Sequence, residues 1–376
     1  MTQANSMKKN DPQNFVFDIT TLAGARFKVF RFLSKKYGVE KEFISKWRLS
    51  GFLSIVCTLL SVFDKIVYQF KKKSTKLKDP VFIIGHWRSG TTLLHNLMCL
   101  DPETGYTTTY QTIFPNNLFS FQWLFKLFMK KLMPDKRPVD NVSLHVDFPQ
   151  EEEFALNNEI PFSFYNWWYF PKKTREIANE YLFNKTTSDA DNKEWSTNFK
   201  RFVNRSLLNT NGNRFVSKNP PHTARISQLL KLYPTAKFIY IHRNPYEVIR
   251  STFAFYKSIL PATQLQAIDN KTLLDDILWV YKGLVERYEE DKGKINSSNL
   301  VEIRYSDLVN NPTDTIKGIY KNLLEDDFER VEDYIEKYLG GLSHKLKKYE
   351  YDQDFLAKVN DKIEENIKFK GYEVLN

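Results

Sequence analysis

The sequence predicts an α/β fold: a central parallel sheet flanked by helices, with an N-terminal helical extension ahead of it. Three observations carry this. From Pro80 onward short apolar runs alternate with helical stretches, the pattern of parallel strands covered by helices. The first run, Val81–Ile84, opens into Gly85-His86-Trp87-Arg88-Ser89-Gly90-Thr91-Thr92 and then a helical stretch. A later run, Ala236-Lys237-Phe238-Ile239-Tyr240-Ile241-His242, ends in Arg243-Asn244-Pro245 at the start of another.

The extension comes first. Residues 51–63 are thirteen positions without a charge, after which Asp64 and Lys65 interrupt before Ile66, Val67 and Phe70 continue. A spanning helix needs about 17–25 apolar residues, so this one reads as short. Lys71, Lys72, Lys73, Lys76 and Lys78 follow. Two readings fit: a helix packed on the domain with a solvated linker behind it, the commoner arrangement, or an amphipathic helix on an anionic membrane face. Residues 1–78 are assigned to the extension and 79–376 to a single α/β domain.

Within that domain strands are expected at Val81–Ile84, 105–109, 214–217, 238–241 and 300–303. Helices are expected at 91–100, 221–232, 245–256, 273–290 and 312–324. Pro221, Pro245 and Pro312 sit where a first helical turn tolerates a missing N–H, and the crossovers should be right-handed. The polar stretch 184–194 lacks periodicity and reads as a loop with the character of a lid. Helical spacing with mixed charge returns after Asp352.

Composition bounds the function class. Hydrophobic residues make up 42% and aromatics 15% of the 376, enough for a large core. The formal charge of +10 suits an anionic partner. No zinc-finger, RNA-recognition or homeodomain pattern organises the lysines, so nucleic acid is not an expected partner. Cys57 and Cys99 lie in apolar runs as small buried thiols, and no disulfide framework or metal-ligand spacing exists. Residues 1–15 are polar and lack the apolar core of a secretory signal, which points to the cytoplasm, on the inner membrane face if the extension binds lipid.

The loop at 85–92 carries the chemistry. A G-x-x-x-x-G-K-[ST] loop wraps backbone N–H groups around a diphosphate and reaches the β/γ-phosphates with its lysine. Here the lysine position holds Thr91, and the cation, Arg88, lies inside the loop. An anion still fits the helix N-terminus, but the group that handles a γ-phosphate is missing. The architecture is therefore P-loop-like without being a nucleoside-triphosphate loop.

Arg88-Ser89-Gly90-Thr91-Thr92 after a strand resembles the 5′-phosphosulfate loop of sulfotransferases that use 3′-phosphoadenosine 5′-phosphosulfate (PAPS). A second signature is independent: Arg243 at a strand end with Ser251 eight positions on is similar to the family's 3′-phosphate site. The likeness runs from about Asp79 to Gly341, including Ser217-Lys218-Asn219-Pro220-Pro221-His222 and Arg304-Tyr305-Ser306-Asp307-Leu308. It is nearest to the bacterial-type members.

The resemblance implies that Arg88 and the N–H groups of Ser89, Gly90, Thr91 and Thr92 take the phosphosulfate, that Arg243 and Ser251 hold the 3′-phosphate, and that Tyr305 lies near the adenine. It also implies that Lys218, at the carboxyl edge of the sheet, contacts the transferring sulfuryl group or its bridging oxygen. The plain alternatives are a glycine turn with a surface arginine, a strand-end lysine, and an aromatic packed for structure. A base must take the acceptor's proton. Many relatives place a histidine two residues beyond the lysine, where this chain has Pro220. Glu151, Glu152 and Glu153, resembling an acidic cluster of bacterial-type members, are the better candidates, and a solvated acidic helix start is their plain alternative. His222, His145 and His86 rank behind them. The aromatic run 161–171 is core or the wall of an acceptor pocket.

The expectation is a metal-independent transfer of a sulfuryl group from PAPS to the hydroxyl of a small-molecule, lipid or glycan acceptor, with a hydrophobic alcohol suggested by the apolar helix and the aromatic run. The rivals are a P-loop kinase or NTPase, disfavoured by Thr91, and a non-catalytic basic protein that binds anionic lipid or glycan.

Overall fold

The computed structural model describes residues 19–71, 77–133, 144–341 and 349–375. After a 3-10 turn at Thr21–Gly24, α1 (Phe27–Tyr37) and α2 (Ile44–Lys71) form the extension. The α/β domain opens with β1 (Val81–Ile84) and α3 (Thr91–Met98), then β2 (Thr104–Gly105), α4 (Thr109–Ile113) and α5 (Gln122–Leu132). Helices α6 (Glu152–Glu159), α7 (Thr174–Tyr181) and α8 (Asp189–Thr210) lead to β3 (Arg214–Lys218). Next come α9 (Ile226–Leu232), β4 (Lys237–His242), α10 (Pro245–Thr263) and α11 (Asn270–Lys292). The chain closes with β5 (Leu300–Arg304), α12 (Tyr305–Asn310), α13 (Pro312–Ile319), α14 (Glu329–Gly340) and α15 (Gln353–Phe369).

The strands form one parallel sheet in the order β2-β3-β1-β4-β5. Central β1 sets Ile83 opposite Lys218 of β3 and Ile84 opposite Tyr240 of β4. Both faces of β1, β3 and β4 are covered, which is why β1 and the middle of β4, Phe238–Ile241, read as continuous apolar runs. On β1, Phe82 and Ile84 pack with Phe199 and Phe202 of α8 on one face. Val81 and Ile83 pack with Leu94 and Leu97 of α3 on the other. At the edge, β5 exposes Glu302 and Arg304.

Four expectations about elements need correction. The strand at 105–109 shrinks to Thr104–Gly105, because Thr108 caps α4 by accepting from the Gln111 N–H (3.2 Å); the threonine run that favoured a strand is cap chemistry. The loop at 184–194 ends at Ser188, whose hydroxyl accepts from the Asp191 N–H (3.1 Å) and starts α8 with Asp189 and Asp191 in its first turn. The remaining loop residues are tied back, as Lys185 N to Asn179 O (2.8 Å) shows. The helix at 221–232 is a 3-10 turn, Pro220–Ala224, joined to α9 through a non-helical Arg225. The helix at 312–324 is α13 followed by a π turn at Tyr320–Leu324.

The extension is also longer than read. Helix α2 runs 28 residues, about 42 Å at 1.5 Å per residue. With the turn before it, it is long and apolar enough to cross a membrane by length and composition. Two of the charges within it make internal contacts. Lys46 Nζ donates to Pro261 O (2.8 Å), and Asp64 accepts from the N–H groups of Phe119 and Ser120 and pairs with Arg205 (3.0 Å). Of the lysines behind it, Lys72, Lys73 and Lys76 lie outside the described residues, while Lys78 pairs with Glu103 and Asp326. Arg205 also binds Glu159, so an ion-paired chain joins α2 to the end of α6.

Candidate active site

The carboxyl ends of β1, β3, β4 and β5 converge where open parallel sheets bind ligands, beside the strand at which chain order reverses. The loop after β1 takes its shape from two glycines. Gly85 has φ 136°, and a Cβ there would sit 2.2 Å from Ile241 O; Gly90 has φ 100°, and its Cβ would meet the Tyr305 ring at 2.3 Å. Arg88 takes a left-handed φ of 68°, a conformation costly for a side-chain-bearing residue. Ser89 Oγ donates to His86 O (2.7 Å), and the Gly85 N–H donates to Thr223 Oγ1 (2.8 Å), pinning both ends of the turn. Thr91 and Thr92 follow as the first residues of α3, where N–H groups lack helical partners by construction.

The two anion motifs meet. Arg88 Nε donates to Ser251 Oγ (3.0 Å), and the guanidinium lies 5.2 Å from the Phe255 ring centre. Arg243 Nη1 approaches Arg88 O (3.4 Å), its guanidinium stacks 4.4 Å from the Tyr305 ring, and Nε donates to Glu247 Oε2 (2.5 Å). Ser251 sits on α10, whose start is fixed by Pro245 and by Asn244 Oδ1 accepting from the Tyr246 N–H (3.0 Å). Arg88, Arg243, Ser251 and Tyr305 thus share one rim of the sheet.

The three glutamates point three ways, as successive residues entering a helix must. Glu151, just before α6, bonds Lys218 Nζ through one oxygen and receives the Tyr165 hydroxyl on the other. Trp87 Nε1 donates to the same Tyr165 oxygen (2.7 Å), linking this pair to the loop after β1. Lys218 is 2% exposed, while the Glu151 side chain retains 13%. Glu152 is buried against Ser217 Oγ and His222 Nε2 (3.0 Å), with its second oxygen unpartnered. Glu153 is wholly buried. Burial would raise its pKa, but a two-pronged Arg225 clamp (2.7 and 3.0 Å), with Asn219 Nδ2 adding a hydrogen bond (2.9 Å), overcomes that and holds it at about 2.

The histidines separate as clearly. His86 is buried under the loop with Nδ1 2.8 Å from Trp87 O, and burial pushes its pKa down to about 4. His222 is fully buried behind Glu152. His145 is half-buried, with Nδ1 accepting from the Asp147 N–H (3.3 Å). In the aromatic run, Phe164, Tyr165, Trp167, Trp168, Tyr169 and Phe170 are all buried, so core is its main meaning, with Tyr165 turned to Glu151.

Sequence reasoning passed over Arg225, Glu247, Phe255 and Thr223, and it did not single out Tyr165 or Trp87 from their runs. Only Glu247 left a local signal, an acid one turn after Arg243 on the same helix.

Comparisons with known proteins bear on the family and the fold. A family model described as "Sulfotransferase family" matches residues 80–329. The chain is 31% identical over 334 residues to the omega-hydroxy-beta-dihydromenaquinone-9 sulfotransferase Stf3 of Mycobacterium tuberculosis, an alignment covering 88% of this chain and 85% of that protein. Among solved structures, the sulfotransferase STF9 from Mycobacterium avium superposes with a TM-score of 0.70 at 16% identity, covering 97% of this chain and 99% of the other. Sulfotransferase STF1 from Mycobacterium tuberculosis H37Rv gives 0.62 at 18% identity over 89% of each chain. These two likenesses establish a shared fold.

Proposed function

The chain belongs to the sulfotransferase family, enzymes for which PAPS is the implied donor, and we propose that it sulfates the hydroxyl of a lipid alcohol at the cleft between the loop after β1 and the start of α6. The observation that carries the proposal is the Lys218–Glu151 pair, set at the carboxyl edge of β3 and tied through Tyr165 to Trp87 of the loop.

The residues present suit the donor. Glycines at 85 and 90 leave room that a Cβ would fill, and the clustered Arg88, Arg243 and Ser251 suit an adenylate with phosphate at its 3′ position and a sulfonated 5′ end. Arg88 and the N–H groups of Ser89, Gly90, Thr91 and Thr92 neutralise the 5′ side. Arg243 and Ser251 hold the 3′-phosphate, with Arg243 exchanging Glu247 for it, and Tyr305 lines the adenine side.

Glu151 takes the acceptor hydroxyl's proton as that oxygen bonds to sulfur. Lys218, released from Glu151, supplies positive charge as the bond from sulfur to the bridging phosphate oxygen breaks, leaving adenosine 3′,5′-bisphosphate. Two ties recommend Glu151 over its neighbours: it alone of the three contacts Lys218, and Glu152 and Glu153 are committed to buried partners. A related enzyme named for a hydroxylated menaquinone supports a lipid acceptor.

Incubation with 35S-labelled PAPS and separate lipid and glycan extracts tests the acceptor. Label in the organic phase is expected. Label confined to water-soluble oligosaccharide would overturn the lipid assignment.

A further inference from the structure

Helix α2 is built inside out. Its buried positions include Lys46, Ser50, Gly51, Ser54, Ser61 and Asp64. Its large apolar side chains face outward: Phe52 is 62% exposed, Leu59 65% and Phe70 86%. A surface helix of a water-soluble domain does the reverse, burying its apolar stripe and exposing its polar one. The outward residues recur at helical spacing, so they form one continuous face along the 28 residues.

A second element extends this face. Helix α5 presents Trp123, 72% exposed, and Phe128, 55% exposed, on its outer side. It is held beside α2 by an edge-on Phe63–Phe121 contact (5.7 Å) and a stacked Tyr68–Phe119 contact (5.8 Å). Exposed apolar side chains grouped over two adjoining helices, with charge at their edges, are the pattern of an interaction surface.

Charge identifies what covers it. Exposed cations border the patch, Arg48, Lys65 and Lys71 on α2 and Lys130 and Lys131 on α5. Helix α5 contains no acid, and the acid in α2, Asp64, is buried against Arg205. Nearby Asp147 pairs with Lys126. An apolar face on two helices whose own exposed charges are all cationic matches a surface that is hydrocarbon inside and anionic outside.

We propose that α2 and α5 together dock the enzyme on an anionic lipid bilayer, with α2 lying in the interface parallel to the membrane. Its length would permit spanning, but its polar face carries Lys46 and Asp64 in contacts with the α/β domain, and those contacts keep one side of the helix on protein along its length. The docking rests on this surface alone and does not require a lipid acceptor.

The test is co-sedimentation of the full chain with phosphatidylcholine vesicles, with and without phosphatidylglycerol. Binding to the anionic vesicles is expected, weakening by about fivefold for each lysine whose attraction to the lipid is screened by salt. The doubly substituted Phe52→Glu, Leu59→Glu protein should bind at least about tenfold less, and Lys130→Glu with Lys131→Glu should remove the preference for anionic lipid. Brominated lipid should quench indole fluorescence, and Trp123→Phe should remove most of that quenching. All of the substituted positions are exposed, so unchanged melting curves confirm that the variants fold. Wild-type protein left in the supernatant with both vesicle types overturns the proposal. So does a wild-type dimer that the apolar substitutions dissociate, which would make this a face between copies of the chain. Adenosine 3′,5′-bisphosphate binding, measured without vesicles, reports the donor site separately, so failure of docking and failure of the active-site assignment are distinguishable.

Discussion

Arg88 Nε and Ser251 Oγ lie 3.0 Å apart, although one belongs to the loop after β1 and the other to a helix more than 160 residues later. With Arg243 against the Arg88 carbonyl, this contact joins two sequence motifs into one anion site. The sheet order puts β4 next to β1, so both motifs emerge from adjacent strand ends.

Glu247 occupies Arg243 in this structure. Glu247→Gln should therefore strengthen bisphosphate binding. Arg243→Ala removes charged hydrogen bonds of about 1.5–3 kcal/mol each and should weaken binding by roughly tenfold or more. Competition binding with a fluorescent adenosine 3′,5′-bisphosphate measures both, and a Glu247→Gln protein that binds no better would show that this pair does not compete with the ligand.

Glu151→Gln should lower kcat by about 10²–10⁴-fold, the range for a positioned general base, while donor binding persists. Glu153→Gln should act on stability instead. It leaves the buried Arg225 guanidinium without its counter-charge, a change worth about 3–5 kcal/mol. Kinetics paired with thermal melts separate the two; a Glu151→Gln enzyme with full kcat contradicts the base assignment.

Gly90→Ala forces a Cβ to 2.3 Å from the Tyr305 ring at a φ of 100°. Strain of about 1–3 kcal/mol is expected, displacing Tyr305 and weakening bisphosphate binding, with part of the loss recovered in Gly90→Ala, Tyr305→Ala. Equal binding by wild type and Gly90→Ala would show that the close approach is dispensable.

Acid should unfold the protein in two stages. Burial lowers the pKa of His86 to about 4 and of His95, buried on α3 with Nε2 3.3 Å from Val216 O, to about 3, from 6.5. The unfolded chain therefore binds protons first, and stability present above pH 6.5 declines as pH falls through these values. Glu153, held at about 2 against an ordinary 4.5, adds a second loss that begins below pH 4.5. Denaturant melts across this range should show falling stability from about pH 6.5 downward; a flat profile between pH 7 and 5 contradicts the buried neutral histidines.

What the sequence made legible was local. Gly85, Arg88, Gly90, Arg243 and Pro245 lie within single strand-loop-helix units whose turn and capping chemistry is written in adjacent letters. The strand misread at 105–109 and the helix missed at Asp189 show the limit: threonine and serine serve strands and caps equally, and only the hydrogen bond they make decides. The three glutamates were indistinguishable as letters. They separate because partners from β3, the Pro220–Ala224 turn and the aromatic run reach the start of α6 from different sides. Helix α2 was legible as apolar, but which side of it met protein depended on Arg205 and the Phe119–Ser120 backbone, more than fifty residues away.

The central claim is that the rim holding Arg88, Arg243 and Ser251 binds the donor's nucleotide, and calorimetric titration with adenosine 3′,5′-bisphosphate tests it most directly. The account predicts one site per chain in magnesium-free buffer, weakened roughly tenfold or more in Arg88→Ala and in Arg243→Ala and kept in Glu151→Gln. Binding unchanged in both arginine variants, or no binding by a folded wild-type protein, would contradict it.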